Sequence, residues 1–269
     1  WNGSGWTEAG DLNTGRNSLS SAGITTAGLV FSGVVSTGES ATTETWNGSS
    51  WTEVADLNTA RNEGTGGGIS TSAIFAGGLT TAPLAITETW NGSAWTEVSD
   101  LNSARSQTGG TAQNNTDAIV FGGRTPPGAD TVNTESWDGT SWTEVANLAT
   151  ARDQFQGSGA SNTSALAFGG VHSSNTADTE AWNGTSWTEV TDMPVARQGL
   201  SGSGTKASTL AFGGSTASTD SWNESSWTEV SDLNTNRGYF SGAAGASNTS
   251  ALAFGGTPPT TTKTELYNG

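Results

Sequence analysis

TETWNGSSWTEVADLNTAR, residues 43–61, recurs with small changes from one end of the chain to the other. Its first Trp stands at Trp1, Trp46, Trp90, Trp137, Trp182 and Trp222, and a truncated copy ends in Tyr267-Asn268-Gly269, so successive copies lie 45, 44, 47, 45, 40 and 45 residues apart. A period of that length, built from short β-prone runs and turn residues, marks a propeller or a solenoid. Repetition across all 269 residues predicts a single domain, 1–269, closed on itself.

Leu, Ile, Val and Phe make up only 39 of 269 residues, and the net charge is -16, a pairing that elsewhere accompanies disorder. Twelve Trp and 38 Gly argue the other way, because each Trp buries a large area and small residues let backbones approach. The acidic balance opposes nucleic-acid phosphate and anionic membrane, which reward Lys and Arg. No apolar run approaches the roughly 20 residues of a membrane span, so no membrane insertion is expected. The absence of Cys excludes a disulfide framework and thiolate metal sites. The chain opens in mid-repeat on Trp1, without a charged-then-apolar leader, as expected of a processed product or part of a larger polypeptide.

One repeat, 61–105, divides into four short strand candidates. Asn62 to Ile69 is Gly-rich, which suits the crowded innermost strand; Ser72 to Ala76 is continuously apolar, as if buried on both faces. Ile86 to Trp90 and Trp95 to Val98 flank Asn91-Gly92, a strong hairpin signal. In the equivalent stretch 43–54, parity puts Glu44, Trp46, Trp51 and Glu53 on one face and Thr45, Thr52 and Val54 on the other. Each hairpin is therefore expected to present two Trp side by side in the core.

A Gly-Gly pair after an apolar strand, then an aromatic, a Trp and an Arg, resembles the kelch repeat. The doublets stand at Gly77-Gly78, Gly122-Gly123, Gly169-Gly170, Gly213-Gly214 and Gly255-Gly256, and the Arg at 16, 61, 105, 152, 197 and 237. Repeat one has Ser32-Gly33 instead, and the gap between aromatic and Trp is shorter than is usual in that family. The resemblance implies an all-β, six-bladed β-propeller with four-stranded blades. Blade six would combine 238–269 with 1–10, the ring being closed by an N-terminal strand, Gly5 to Ala9, pairing with Thr262 to Tyr267. The overlap of Trp1-Asn2-Gly3 with Tyr267-Asn268-Gly269 is also expected of a longer repeat array. The copies and the Thr/Ser/Gly-rich texture resemble tandem-repeat proteins encoded by marine bacteriophages.

Three acidic series follow the repeat: Glu44, Glu88, Glu135, Glu180, Asp220 and Glu265; Glu8, Glu53, Glu97, Glu144, Glu189 and Glu229; and Asp11, Asp56, Asp100, Asp192 and Asp232. Bridging by the repeat Arg is the expectation for some and solvation at the rim for the rest; no resident cofactor is expected, and calcium is the candidate ion for such oxygen ligands. Acids present in every blade do not make the asymmetric pair that catalysis needs. Galactose-oxidase-like copper chemistry fails for lack of Cys and of His beyond His172. The hairpin at 136–142 is one residue short of a sialidase Asp-box. Sequons at Asn47, Asn91, Asn183 and Asn223 fall at the hairpin turn, where Asn is turn chemistry.

Function is expected where the repeats differ. The loops between second and third strands and the segments after each Arg emerge on one face, around the channel mouth. The candidate ligand-binding residues there are Asn17, Asn62, Glu63, Ser106, Gln107, Arg124, Asp153, Gln154, His172, Gln198 and Tyr239. Kelch domains bind partners through these loops, so the expectation is a non-catalytic recognition or structural module, extracellular or virion-associated, engaging a glycan or a surface protein. The alternative is a carbohydrate-active enzyme using Glu63 and Asp153.

Overall fold

The repeat hairpin settles the register of every blade. Trp46 lies opposite Trp51, Thr45 opposite Thr52 and Glu44 opposite Glu53, so the expected parity holds. The turn between them is a four-residue loop: Asn47 Oδ1 accepts the backbone N–H groups of Ser49 and Ser50, both at 2.9 Å, and Gly48 supplies the positive φ, 93°.

A computed structural model describes residues 5–239, 241–243, 247–257 and 259–269; Trp1-Asn2-Gly3 and their overlap with the C-terminal copy lie outside the described residues. The described residues are all β, without a helix, in six four-stranded antiparallel blades of a propeller. Blade I comprises Ser20–Ile24, Ala27–Phe31, Thr43–Trp46 and Trp51–Val54. Blade II comprises Thr65–Ile69, Ser72–Ala76, Thr87–Trp90 and Trp95–Glu97, and blade III Gly109–Asn114, Asp117–Phe121, Thr134–Trp137 and Trp142–Val145. Blades IV and V follow from Gln156 and Leu200. Blade VI joins Ser241–Ala243, Ser250–Phe254 and Thr264–Asn268 to the N-terminal strand Gly5–Ala9. Gly5 pairs with Asn268 and Ala9 with Thr264, so the ring is closed by strands from both ends. The innermost strand of blade II starts at Thr65 rather than Asn62, which makes a single bridge to Leu79. Glu63 between them turns left-handed and interrupts the ladder.

The core lies between blades. The paired Trp rings sit 5.2–5.6 Å apart in blades I to V. The second Trp of blades I, II, IV and V packs edge-on against a Phe of the preceding blade, as Trp95 does on Phe31 and Trp187 on Phe121, whereas Trp142 of blade III shares its cluster with Ile74. In blades I to IV the indole N–H of the second Trp donates to a Thr hydroxyl of the preceding blade, as Trp95 does to Thr43 at 3.0 Å and Trp142 to Thr87 at 3.1 Å, whereas Trp227 Nε1 is buried without a partner. Blade II shifts its aromatic by one position to Phe75, where the Arg61 guanidinium lies 4.3 Å from the ring centroid.

Each repeat Arg is buried against the third-strand acid of its own blade: Arg16 with Glu44 at 2.7 Å, Arg61 with Glu88 at 2.5 Å, Arg152 with Glu180 at 3.2 Å, and likewise Arg105 with Glu135, Arg197 with Asp220 and Arg237 with Glu265. Burial pulls the Arg16 and Arg61 guanidinium groups below their ordinary range, with the facing glutamates opposing the shift. The Asp series accepts from the first N–H of the third strand, as Asp56 does from Thr43 at 3.1 Å and Asp11 from Thr264 at 3.2 Å. The fourth-strand glutamates stay exposed.

The Gly doublets join neighbouring blades. Gly78, Gly123 and Gly170 donate to the carbonyls of Arg105, Arg152 and Arg197, each at 2.9 Å. A Cβ on Gly123 would lie 2.5 Å from the Ser106 carbonyl oxygen, so backbone fills the space a side chain needs. In blade I, Ser32 takes the same left-handed conformation, φ 66°.

Candidate functional site at the channel mouth

Each buried Arg hands the chain to an innermost strand, and two residues later the backbone turns left-handed. The residues are Ser18, Glu63, Gln107, Gln154, Gly199 and Tyr239, with φ between 49° and 60°. Their backbones form a closed ring. Glu63 donates to Ser18, Gln107 to Glu63, Gln154 to Gln107, Gly199 to Gln154, Tyr239 to Gly199 and Ser18 to Tyr239, at 2.7–3.2 Å. A left-handed residue other than Gly costs about 1–2 kcal/mol; here one blade's turn supplies the partner of the next.

Beneath the ring lies a channel of about 160 Å³, walled by Gly-rich innermost strands and by hydroxyl side chains such as Thr65, Thr108, Ser158 and Ser203. The ring's backbone repeats, but its side chains do not. At Gly199 there is none, and a Cβ there would meet the Tyr239 ring at 3.3 Å. Tyr239 uses that space: its hydroxyl donates to Gln154 Oε1 at 2.8 Å and accepts from Gln198 Nε2 at 3.4 Å.

Glu63 and Gln107 line both the channel and a groove of about 410 Å³ between the loops of blades II and III, bounded by Ala82-Pro83 and by Arg124 and Pro126-Pro127-Gly128. Glu63 Oε2 and Gln107 Oε1 are buried without a hydrogen-bond partner. Burial pushes the Glu63 carboxyl up, opposed by a hydrogen bond from Gln107 and by the charge of Arg124. Asp153, its side chain 4% exposed, holds Arg124 Nε at 3.3 Å. Its carboxyl is pushed up to about 6 by burial first and then by Asp130, with Arg124 opposing. Arg124 also reaches Asp130 at 3.7 Å and donates through Nη2 to the Gly128 carbonyl at 2.9 Å. Burial, with Glu63 and Asp153 nearby, raises the Tyr239 phenol.

The expected residues therefore separate into groups. Glu63, Gln107, Gln154 and Tyr239 line the channel, Ser106 and Arg124 line the groove, and Gln198 and Asp153 support them. Asn62, buried, bridges Leu79 through its backbone. Asn17 gives its side chain to Thr260 at 3.1 Å. His172 is exposed in the small ribbon Val171–His172 with Ser174–Asn175 and lines neither cavity. In five of the six repeats the residue directly after the Arg makes a backbone bridge to its loop, as Asn17 does with Val34 and Asp153 with Val171; the next residue forms the mouth. Ser18 and Gly199 were missing from the expected set, although constant spacing of two from each Arg carried the signal.

Among the described residues no group of three or more His, Cys, Asp or Glu is placed to hold a metal ion, and no helix is long and apolar enough to cross a membrane. No family model matches the chain. No curated protein matches it. Among solved structures the chain is similar to the one titled "Structure of YjhT", with a TM-score of 0.78 and 13% identity, covering 95% of this chain and 95% of that one. At that identity the likeness is one of fold: a six-bladed β-propeller.

Proposed function

We propose that the protein is a non-catalytic recognition module that binds a glycan through the mouth of its channel. The observation that carries the reading is the pair of buried, unpartnered acceptors, Glu63 Oε2 and Gln107 Oε1, at the junction of channel and groove. An unmet buried acceptor costs roughly 1–3 kcal/mol, and a ligand rich in O–H donors relieves it. The Tyr239 ring and the Gln154 amide, which follows Gln107 in the ring, offer a sugar an apolar face and a polar edge. The kelch and phage-repeat resemblances support display outside a cell or on a virion, within a larger polypeptide.

A second reading is a carbohydrate-active enzyme, favoured by two carboxyls pushed up by burial at one mouth, Glu63 and Asp153. One experiment separates the two: a glycan panel run with calcium and with a chelator, followed by product analysis of every ligand that binds. Binding without turnover, weakened in Glu63→Gln and in Gln107→Ala, is the expected result. Cleavage abolished by Asp153→Asn would replace the first reading with the second. Chelator-sensitive binding would make the acids metal ligands, and no binding to any glycan would overturn the glycan reading in favour of a protein partner.

A further inference from the structure

The two unpartnered acceptors at the junction differ in charge, and this difference selects among glycans. We propose that the sugar unit seated there carries a protonated amine, as in a de-N-acetylated hexosamine, held between the Glu63 carboxylate and the Gln107 amide oxygen. This rests on the reading of the mouth as a glycan site and adds the chemical class of the unit recognised.

Three observations converge. The first is the inventory at the junction. Glu63 Oε2 and Gln107 Oε1 lack donors, whereas Arg124 Nε and Nη2 are engaged with Asp153 and the Gly128 carbonyl and the Tyr239 hydroxyl with Gln154. A group entering there must donate, and an ammonium carries three donors and no acceptor. A sugar hydroxyl brings one donor and two lone pairs, which leaves more unmet. The second observation is charge. Glu63, Asp153 and Asp130 share the region with one cation, Arg124, and both Glu63 and Asp130 act on Asp153. The third is shape: Glu63 and Gln107 line the channel as well as the groove. One unit at the junction can therefore continue as a chain along the groove, between Pro83 and Pro127.

The same features act against other sugars. A carboxylated or sulfated unit brings acceptors and negative charge to two acceptors. An N-acetyl group offers a single neutral N–H and adds bulk. A hydrogen bond to a charged partner contributes about twice what a neutral one does, so the amine is separated from its neutral analogues by the Glu63 contact.

The test is calorimetric titration of the full 269-residue chain at pH 7 with three β-1,4-linked oligomers: of glucosamine, of N-acetylglucosamine and of glucose. The glucosamine oligomer is expected to bind about 10-fold or more tightly than either neutral one, the scale of one charge-assisted hydrogen bond. Glu63→Gln should remove the preference, the glucosamine oligomer falling to the affinity of the neutral ones. A net charge of -16 draws any oligocation, so Glu97→Gln, an exposed fourth-strand carboxylate, is the control and should change affinity less than about 2-fold. Equal losses in Glu63→Gln and Glu97→Gln would overturn the inference as bulk attraction. Equal binding of all three oligomers would overturn it and leave the glycan reading standing, whereas no binding of any would overturn both. If Glu63→Gln fails to fold, Glu63→Gly, which suits the left-handed backbone, carries the same test.

Discussion

Tyr239 hydrogen-bonds Gln154 across the vacant position of Gly199, at 2.8 Å. The contact skips a blade, and it turns a ring of six equivalent backbone turns into a mouth with one covered side. Gly199 permits this through what it lacks, and Tyr239→Phe should free Gln154 while leaving the fold intact. Its expected stability loss is about 0.5–1.5 kcal/mol, one net hydrogen bond; chemical denaturation measures it, and a loss of cooperative unfolding would contradict the assignment.

Left-handed turns give opposite signs at different blades. Gly199→Ala should destabilise by about 1–2 kcal/mol, the cost of a Cβ in that conformation. Gln107→Gly should be neutral or stabilising, and yet lose ligand. Denaturant midpoints with unchanged m-values check both.

Ser32 combines a left-handed backbone with a buried hydroxyl that lacks a partner. Both unfavourable features vanish in Ser32→Gly, which restores the doublet of the other repeats. A gain of roughly 1–2 kcal/mol is expected, and a loss would mean that the hydroxyl has a partner in solution.

Arg105 and Glu135 are both fully buried. Arg105→Ala leaves an uncompensated buried carboxylate and should cost about 3–5 kcal/mol. Replacing both residues by Met should recover much of that loss, since the pair fixes geometry more than it adds net stability. A double-mutant cycle by thermal unfolding reads the coupling.

Asp153 gives a pH signature. Its carboxyl ordinarily titrates near 3.8 and is pushed up to about 6 in the folded chain, so between those values the folded state holds a proton that the unfolded state has lost. Its contribution therefore favours folding at low pH and declines as pH rises through this window. Asp153→Asn, compared with the parent from pH 4 to 7, should remove that decline. Arg124, Asp130 and Glu63 surround the group, so Arg124→Ala should extend the decline to higher pH. A parent and variant with parallel pH profiles would refute the shift.

The fold was legible because its determinants are local and repeated. The Asn-Gly turns, Trp pairs and Gly doublets each fix a short stretch, and the repeat multiplies the signal. Even the closing strand, Gly5–Ala9, could be read from its likeness to Trp51–Val54. The mouth was legible only in part. Glu63, Gln107, Gln154 and Tyr239 stood out as departures from the repeat, but the reason they meet is a backbone conformation common to six unlike side chains. Composition does not announce a left-handed Glu or Tyr, and of the six only Gly199 is the residue type which that conformation favours. Asn17, Asn62 and His172 vary between repeats as well, yet they serve a side-chain contact, a backbone bridge and an exposed ribbon.

Ring closure also sets a clock. Thr7 and Leu266, which meet in the closing pair, are separated by 259 residues. At the roughly 5–20 residues per second of ribosomal synthesis, an interval of about ten to fifty seconds passes between the birth of one strand and that of its partner. Through that interval Trp6 has yet to meet Tyr267, its neighbour in the finished core at 5.2 Å, and the assembled arc keeps an open strand edge. Joining the two strands is therefore the last step in assembling this ring, and until then its acidic, hydroxyl-rich surface keeps the open arc apart from its neighbours.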